Sequence, residues 1–262
     1  MLYFRKFLGF ALVISLIYSP LSFAQGPEAK DHPLNKDMPT GLVGNDIVLM
    51  AGKKLPFIAY EVKPKDGNGD AILLIHEWWG LNDHIRAIAD QLANLGYHAV
   101  AIDLYDGNMA SDPEDAKIFM NQVDKTQAKQ KLTAAINYLA LTSDKVATLG
   151  WCFGGGWALQ ASLDNPDKIA ATIVYYGKLE TDPKVLKKLK GPVLGIFAKK
   201  DGWITPVWVE AFDVALSQAG IPHQIYSYDA DHAFANPSNK HYDPEAYLDA
   251  WDKTLTFLRE NL

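Results

Sequence analysis

The feature that most constrains this chain is an alternation of two hydrophobic patterns. Beyond about residue 45, apolar runs of strand length are separated by longer stretches with helical periodicity. The strand candidates are Leu55–Val62, Ala71–His76, His98–Asp103, Val146–Gly150, Ala170–Tyr176, Val193–Ala198 and Gln224–Tyr228. The helical patterns are Asp83–Leu95, Asp112–Met120, Thr126–Leu141, Gly155–Leu163, Val207–Ala219 and Pro244–Arg259. Several of the apolar runs are almost unbroken, as parallel strands covered on both faces must be. Strands alternating with helices predict an α/β fold, a mostly parallel central sheet with helices on both faces. No repeat or change of composition interrupts residues 46–262, which read as a single domain.

The beginning of the chain obeys different rules. Arg5 and Lys6 form a short positive region, Phe7 to Tyr18 an apolar stretch, and Ser22-Phe23-Ala24 places small residues where a signal peptidase reads them. This layout predicts a secretory signal peptide over residues 1–24, cleaved after Ala24. The apolar stretch is shorter than the roughly 20 residues that span hydrocarbon, so no stable membrane insertion is expected after cleavage. Residues 25–45 are polar and rich in Pro and Gly, which reads as a flexible arm. Without the leader's two cations, 23 basic residues face 31 acidic ones, a mature charge of −8. That balance excludes the concentrated basic footprint of a nucleic-acid binder. An exported protein, periplasmic in a bacterium, and a monomer are the expectations. Cys152 is the one cysteine, so neither an internal disulfide nor a multi-cysteine zinc cluster can form.

In parallel sheets, ligands bind beyond the carboxyl ends of the strands. Four reactive side chains follow apolar runs there: Glu77, Cys152, Asp201 and His232. The segment Gly150-Trp151-Cys152-Phe153-Gly154-Gly155 has the form of the nucleophile elbow Gly-x-Ser-x-Gly with Cys in place of Ser. A structural cysteine is the competing reading. A cysteine nucleophile needs a base, and the base an orienting acid, in the chain order nucleophile, acid, histidine. Of the histidines beyond Cys152, His223 opens a strand pattern and His241 lies in a polar loop, whereas His232 directly follows a strand. Asp201 fits the acid, with Asp231 as its rival.

His76-Glu77-Trp78-Trp79-Gly80 is the second signal. A carboxylate among tryptophans is poorly solvated and tends to keep its proton or seek a partner. Contact with the Cys152 thiol would place the Trp78 and Phe153 backbone amides as oxyanion donors. His76-Glu77 lacks the second histidine of a zinc helix, because position 80 is Gly, so no metal and no cofactor are expected. Trp79, Tyr105, Trp203 and Phe234 lie in or beside these segments and are candidate pocket residues.

With these motifs together, residues 46–260 resemble the dienelactone hydrolase family of the α/β-hydrolase superfamily. The resemblance rests on His76-Glu77-Trp78-Trp79-Gly80-Leu81-Asn82 with Arg86, Asp103-Leu104-Tyr105, the Cys152 elbow, Asp201-Gly202 and His232-Ala233-Phe234. It implies an α/β-hydrolase fold, Cys152 as nucleophile, His232 as base, Asp201 as acid, and Glu77 as the carboxylate governing the thiol's ionisation until substrate arrives. It implies hydrolysis of a small-molecule ester or lactone through an acyl-enzyme, with a thioesterase, a peptidase or a non-catalytic redox-sensitive thiol as alternatives. The family's enzymes acting on dienelactone hold its carboxylate with two arginines, one after the Asp-Leu-Tyr segment and one after His-x-Phe. Here those regions read Asp106-Gly107-Asn108 and Ala235-Asn236-Pro237, and the chain's arginines are Arg5, Arg86 and Arg259. The bidentate clamp that arginine offers a carboxylate is missing.

Overall fold

A computed structural model of the protein describes residues 41–262 except positions 53 and 68. The leader, its cleavage site and the arm as far as residue 40 lie outside the described residues. Eight strands form one sheet: β1 Asn45–Ala51, β2 Leu55–Val62, β3 Ala71–Ile75, β4 His98–Ile102, β5 Val146–Trp151, β6 Ile169–Tyr175, β7 Val193–Ala198 and β8 His223–Tyr228. Their spatial order is β1-β2-β4-β3-β5-β6-β7-β8. Strands β3 to β8 run parallel, while β2 is antiparallel to both β1 and β4. The helices are α1 Asp83–Asn94, α2 Pro113–Gln122, α3 Lys125–Leu139, α4 Phe153–Asp164, α5 Pro183–Leu186, α6 Pro206–Ala219 and α7 Pro244–Asn261.

The central strands explain why their sequences are apolar without alternation. Along β3, Ile72 and Leu74 enter the core beneath α1 and α7, whereas Leu73 and Ile75 enter the core beneath α3 and α4. In β4, Ala99 and Ala101 join the first layer, Val100 and Ile102 the second. Each face removes its own side chains from water, so both periodic positions must be hydrophobic. A third cluster packs α5 and α6 onto β7 through Leu186, Phe197 and Phe212.

Two elements go beyond the expectations read from sequence. Strand β1 lies where the arm was expected to end, and Val43 and Gly44 just before it are already tied down by Asp90 and the Tyr60 hydroxyl. As an edge strand with mixed exposure, β1 carries too little hydrophobic contrast to stand out. Helix α5 is a four-residue turn, too short for periodicity to register. Helix α4 starts at Phe153, two residues before the apolar periodicity begins, because Gly154 and Gly155 occupy its first turn.

Those glycines have a packing role. A Cβ on Gly154 would stand 2.1 Å from the Ile75 carbonyl oxygen and 2.4 Å from that of His76. A Cβ on Gly150 would stand 2.2 Å from the Gly154 carbonyl oxygen. The helix thus begins directly against the end of β3, which only backbone without side chains allows. Gly154→Ala is expected to cost more than about 3 kcal/mol, because the obstruction is backbone and cannot rotate away. A melting temperature within a few degrees of the parent would contradict this packing.

Candidate active site at the carboxyl ends of the strands

The residues singled out by sequence arrive on one edge of the sheet from four different strands. Cys152 follows β5, Glu77 follows β3, Asp201 follows β7 and His232 follows β8. Cys152 has φ 52° and ψ −116°, with its N–H donated to the Tyr175 carbonyl at 2.9 Å. Among the described residues, those other than glycine with positive φ are Asp106, Cys152, Tyr176 and Ala233, each in a loop after one of the strands β4, β5, β6 and β8. Strained backbone is costly, of order 1–3 kcal/mol per residue, and its concentration here marks the site.

Three of the four side chains form a continuous hydrogen-bonded row. His232 Nε2 is 3.1 Å from Cys152 Sγ, and its Nδ1 is 2.6 Å from Asp201 Oδ2. Burial alone favours the neutral ring, but the bonds to Asp201 and Cys152 override it and push His232 up to about 10. Burial opposes the Asp201 charge, yet the bond from His232 and the amides of Trp203 and Ile204 hold its carboxyl below the usual range. Those amides donate to Asp201 Oδ1 at 2.8 and 3.0 Å. Asp231, the rival acid, is half-exposed and faces His241 at 3.6 Å instead. His223 lies on the sheet edge with Nε2 3.0 Å from Asp213.

Glu77 does not meet the thiol in this arrangement. One carboxyl oxygen, Oε2, accepts from Asn236 Nδ2, while Oε1 is buried without a hydrogen-bond partner. The thiol is engaged by His232, which corrects the expected Glu77–Cys152 contact. Burial drives the Glu77 carboxyl up to about 7, against the bond from Asn236 and the nearby His232. The Tyr176 hydroxyl, also buried, lies close enough to Glu77 to favour its ionised form and feels the charges of Glu77 and Cys152. Sequence reasoning assigned no role to Asn236 or Tyr176. The sign for Asn236 was its place in Ala235-Asn236-Pro237, the region after His-x-Phe that lacks an arginine here.

The backbone amides of Trp78 and Phe153 follow Glu77 and Cys152, at the ends of β3 and β5. Phe153 is the first residue of α4 and has no carbonyl one turn earlier to receive its N–H. Among the described residues neither amide donates to a protein acceptor. The Cys152 amide is taken by Tyr175, which leaves the amide after it as the available donor. His76, fully buried and held neutral by that burial, braces this loop: its Nδ1 donates to the Glu77 carbonyl at 2.5 Å, and its Nε2 accepts from the Leu104 N–H at 3.1 Å.

The aromatic candidates divide into wall and foundation. Trp203 is 69% exposed, with its ring 4.9 Å from His232 and 6.4 Å from Trp78. Trp78 in turn meets half-buried Trp79 edge-on at 5.2 Å. Tyr105 and Phe234 do not line the opening, contrary to expectation. Tyr105 is buried against His76 and Phe153, and Phe234 is fully enclosed beside Tyr176 and Tyr228. Both rings complete the core under the strand ends, where apolar area is best removed from water. Neither described arginine reaches the site: Arg86 pairs with Asp46 and Arg259 with Thr256. A cavity of about 1090 Å³ between β1 and α3 is lined by none of these residues.

Comparison with known proteins agrees with this architecture. Residues 57–262 match the dienelactone hydrolase family. "Protein usf" of Aquifex pyrophilus is 32% identical over 225 residues, covering 78% of this chain and 93% of that protein. A "Putative carboxymethylenebutenolidase" of Saccharolobus solfataricus is 30% identical over 230 residues, covering 72% and 88%. The crystal structure titled "Putative Dienelactone Hydrolase" from Klebsiella pneumoniae superposes with a TM-score of 0.73 at 26% identity, covering 82% of this chain and 97% of that one.

The raised Glu77 carboxyl has a consequence for stability. An unfolded glutamate ionises near 4.5 and the folded one near 7, so the folded state holds the extra proton between those values. Stability from this group is full below about pH 4.5 and is lost as the pH rises through 7, about 3 kcal/mol in all. Glu77→Gln, which cannot ionise, is therefore expected to raise the melting temperature at pH 8 more than at pH 5. An equal change at both pH values would show that the carboxyl stays ionised in the fold.

Proposed function

Because the chain belongs to the dienelactone hydrolase family, we propose that it hydrolyses small neutral esters or lactones with Cys152 as nucleophile, His232 as base and Asp201 as orienting acid. The observation that carries this reading is the unbroken row from Asp201 through His232 to Cys152 Sγ. His232 holds the proton given up by the thiol, and the sulfur bonds to the substrate carbonyl carbon, whose electron pair moves to oxygen. The Trp78 and Phe153 N–H groups receive that oxyanion. When the carbonyl re-forms, the alkoxide leaves with the proton held on His232 and a thioester remains. Water then gives a proton to His232 and attacks the thioester, and the returning proton restores the thiol.

The wall formed by Trp78, Trp79 and Trp203 supports the preference for neutral substrates. An aromatic wall offers dispersion and π-contact, but no ionic partner for a carboxylate. In this reading carboxylated lactones, to which the name of the Saccharolobus relative refers, are poor substrates here. The leader read from sequence supports export to a bacterial periplasm, with the mature chain working outside the cytoplasm. No described helix is long and apolar enough to cross a membrane.

Cys152→Ala is expected to abolish turnover of 4-nitrophenyl acetate while the far-UV circular dichroism stays unchanged. Mass spectrometry of rapidly quenched parent enzyme should show the added acyl group on Cys152, which a merely redox-sensitive thiol would not acquire. Across a panel matched for leaving group, neutral esters should exceed their carboxylated counterparts in kcat/KM by about tenfold or more, the equivalent of one lost ionic contact. Turnover retained by Cys152→Ala would overturn the assignment of the nucleophile. A preference for the carboxylated panel would overturn the substrate class.

A further inference from the structure

Glu77 and Asn236 are 159 positions apart in the chain and both almost wholly buried, yet their side chains bond directly. The orientation of the amide is fixed from its other end. Asn236 Oδ1 accepts the Ser238 N–H at 2.9 Å, so Nδ2 is the atom turned to Glu77. The donor is therefore assigned by the network rather than by an arbitrary choice of amide flip. Opposite this bond, Oε1 of Glu77 has no partner.

The groups facing this carboxyl come from several loops. His232 and Asn236 approach from the loop after β8, Tyr176 from the end of β6, and Cys152 shares the pocket through His232 and Tyr176. His76, its neighbour in sequence, is turned away to the Leu104 amide. Neither described arginine lies near, and His232 is already committed between Asp201 and the thiol. The side chain that bonds this carboxyl is thus a neutral amide.

We infer that Asn236 is a positioning residue which leaves Glu77 free to gain or lose its proton with solution pH, and that the protonated form of Glu77 is the working one. This rests on the hydrolytic reading above. An ionised Glu77 would place a second anion near His232, the partner of the sulfur, and immediately before the Trp78 amide that receives the oxyanion. Like charges repel, so an ionised Glu77 opposes the negative charge that develops on the sulfur and on the oxyanion during attack. The position of Glu77 near 7 puts that change in the neutral range. Because the Asn236 N–H favours the carboxylate, removing it must move the change to higher pH.

The test is the pH dependence of kcat/KM for 4-nitrophenyl acetate from pH 5.5 to 9, with spontaneous hydrolysis subtracted. The parent is expected to lose activity on an alkaline limb centred near neutrality, and Glu77→Gln to lack that limb. Asn236→Leu should move the limb upward by about one pH unit, the loss of one hydrogen bond to a charged group. The isosteric Asn236→Asp, which exchanges the donor for an acceptor, should move it the same way and guards against poor folding of the leucine variant. A structural role alone would lower melting temperature and rate at every pH with the limb unmoved, and that outcome overturns the proposal. So does a parent profile that is flat through neutrality. The ¹³C resonance of the Glu77 carboxyl, titrated in the parent and in Asn236→Asp, reads the same shift without turnover. If no variant hydrolyses any ester, the hydrolytic reading fails by itself, and an unmoved carboxyl titration then rejects the role of Asn236 separately.

Discussion

The close approach of α4 to the end of β3 is the constraint on which the rest of the site depends. Two backbones meet there with no side chain between them, at Gly154 against Ile75 and His76. That contact fixes the turn in which Cys152 takes its strained conformation, and it brings the Phe153 amide beside the loop that carries Trp78. The helix also begins at the sulfur, so its unpaired N–H groups direct positive potential toward a developing anion. Geometry and electrostatics therefore have one origin, the absence of two Cβ atoms.

Around this point the sheet acts as an aligning device. Parallel strands deliver their following loops to the same edge, and the right side chains meet although they are far apart in sequence. The braces are themselves polar and buried: His76 ties the β3 loop to the β4 loop, and Asp103 accepts the Tyr105 and Gly107 amides at 2.8 and 2.5 Å. Buried polar groups of this kind cost desolvation unless each is paired. Among the described residues Glu77 Oε1, Tyr105, Ser143 and Tyr176 are the exceptions, and Glu77 and Tyr176 lie beside His232.

Much of this was legible in the sequence because the physics responsible is local or periodic. The continuous apolar strands announced burial on both faces, and Gly-x-Cys-x-Gly announced a tight strand-to-helix turn. Asp201 and His232 were found because each follows an apolar run. Strand β1 escaped notice since an edge strand mixes exposed and covered residues without a clear pattern. Asn236 lies beside a motif, but nothing there names its partner, which lies 159 residues away. Tyr105 and Phe234 were misplaced for a related reason. An aromatic residue in a motif looks the same whether its ring faces the cleft or the core behind it, and only packing decides.

The two oxygens of Asp201 have different clients. Oδ2 holds the imidazole of His232, and Oδ1 holds the turn that presents Trp203 beside that same ring. One carboxylate thus sets both the orientation of the imidazole and the position of the aromatic wall. Mutational routes that reshape the wall by rebuilding this turn pass through the residue that orients His232. Routes that change only the Trp203 side chain do not. Diversification of such a site is then channelled toward exchanging the exposed ring on a backbone that stays where it is.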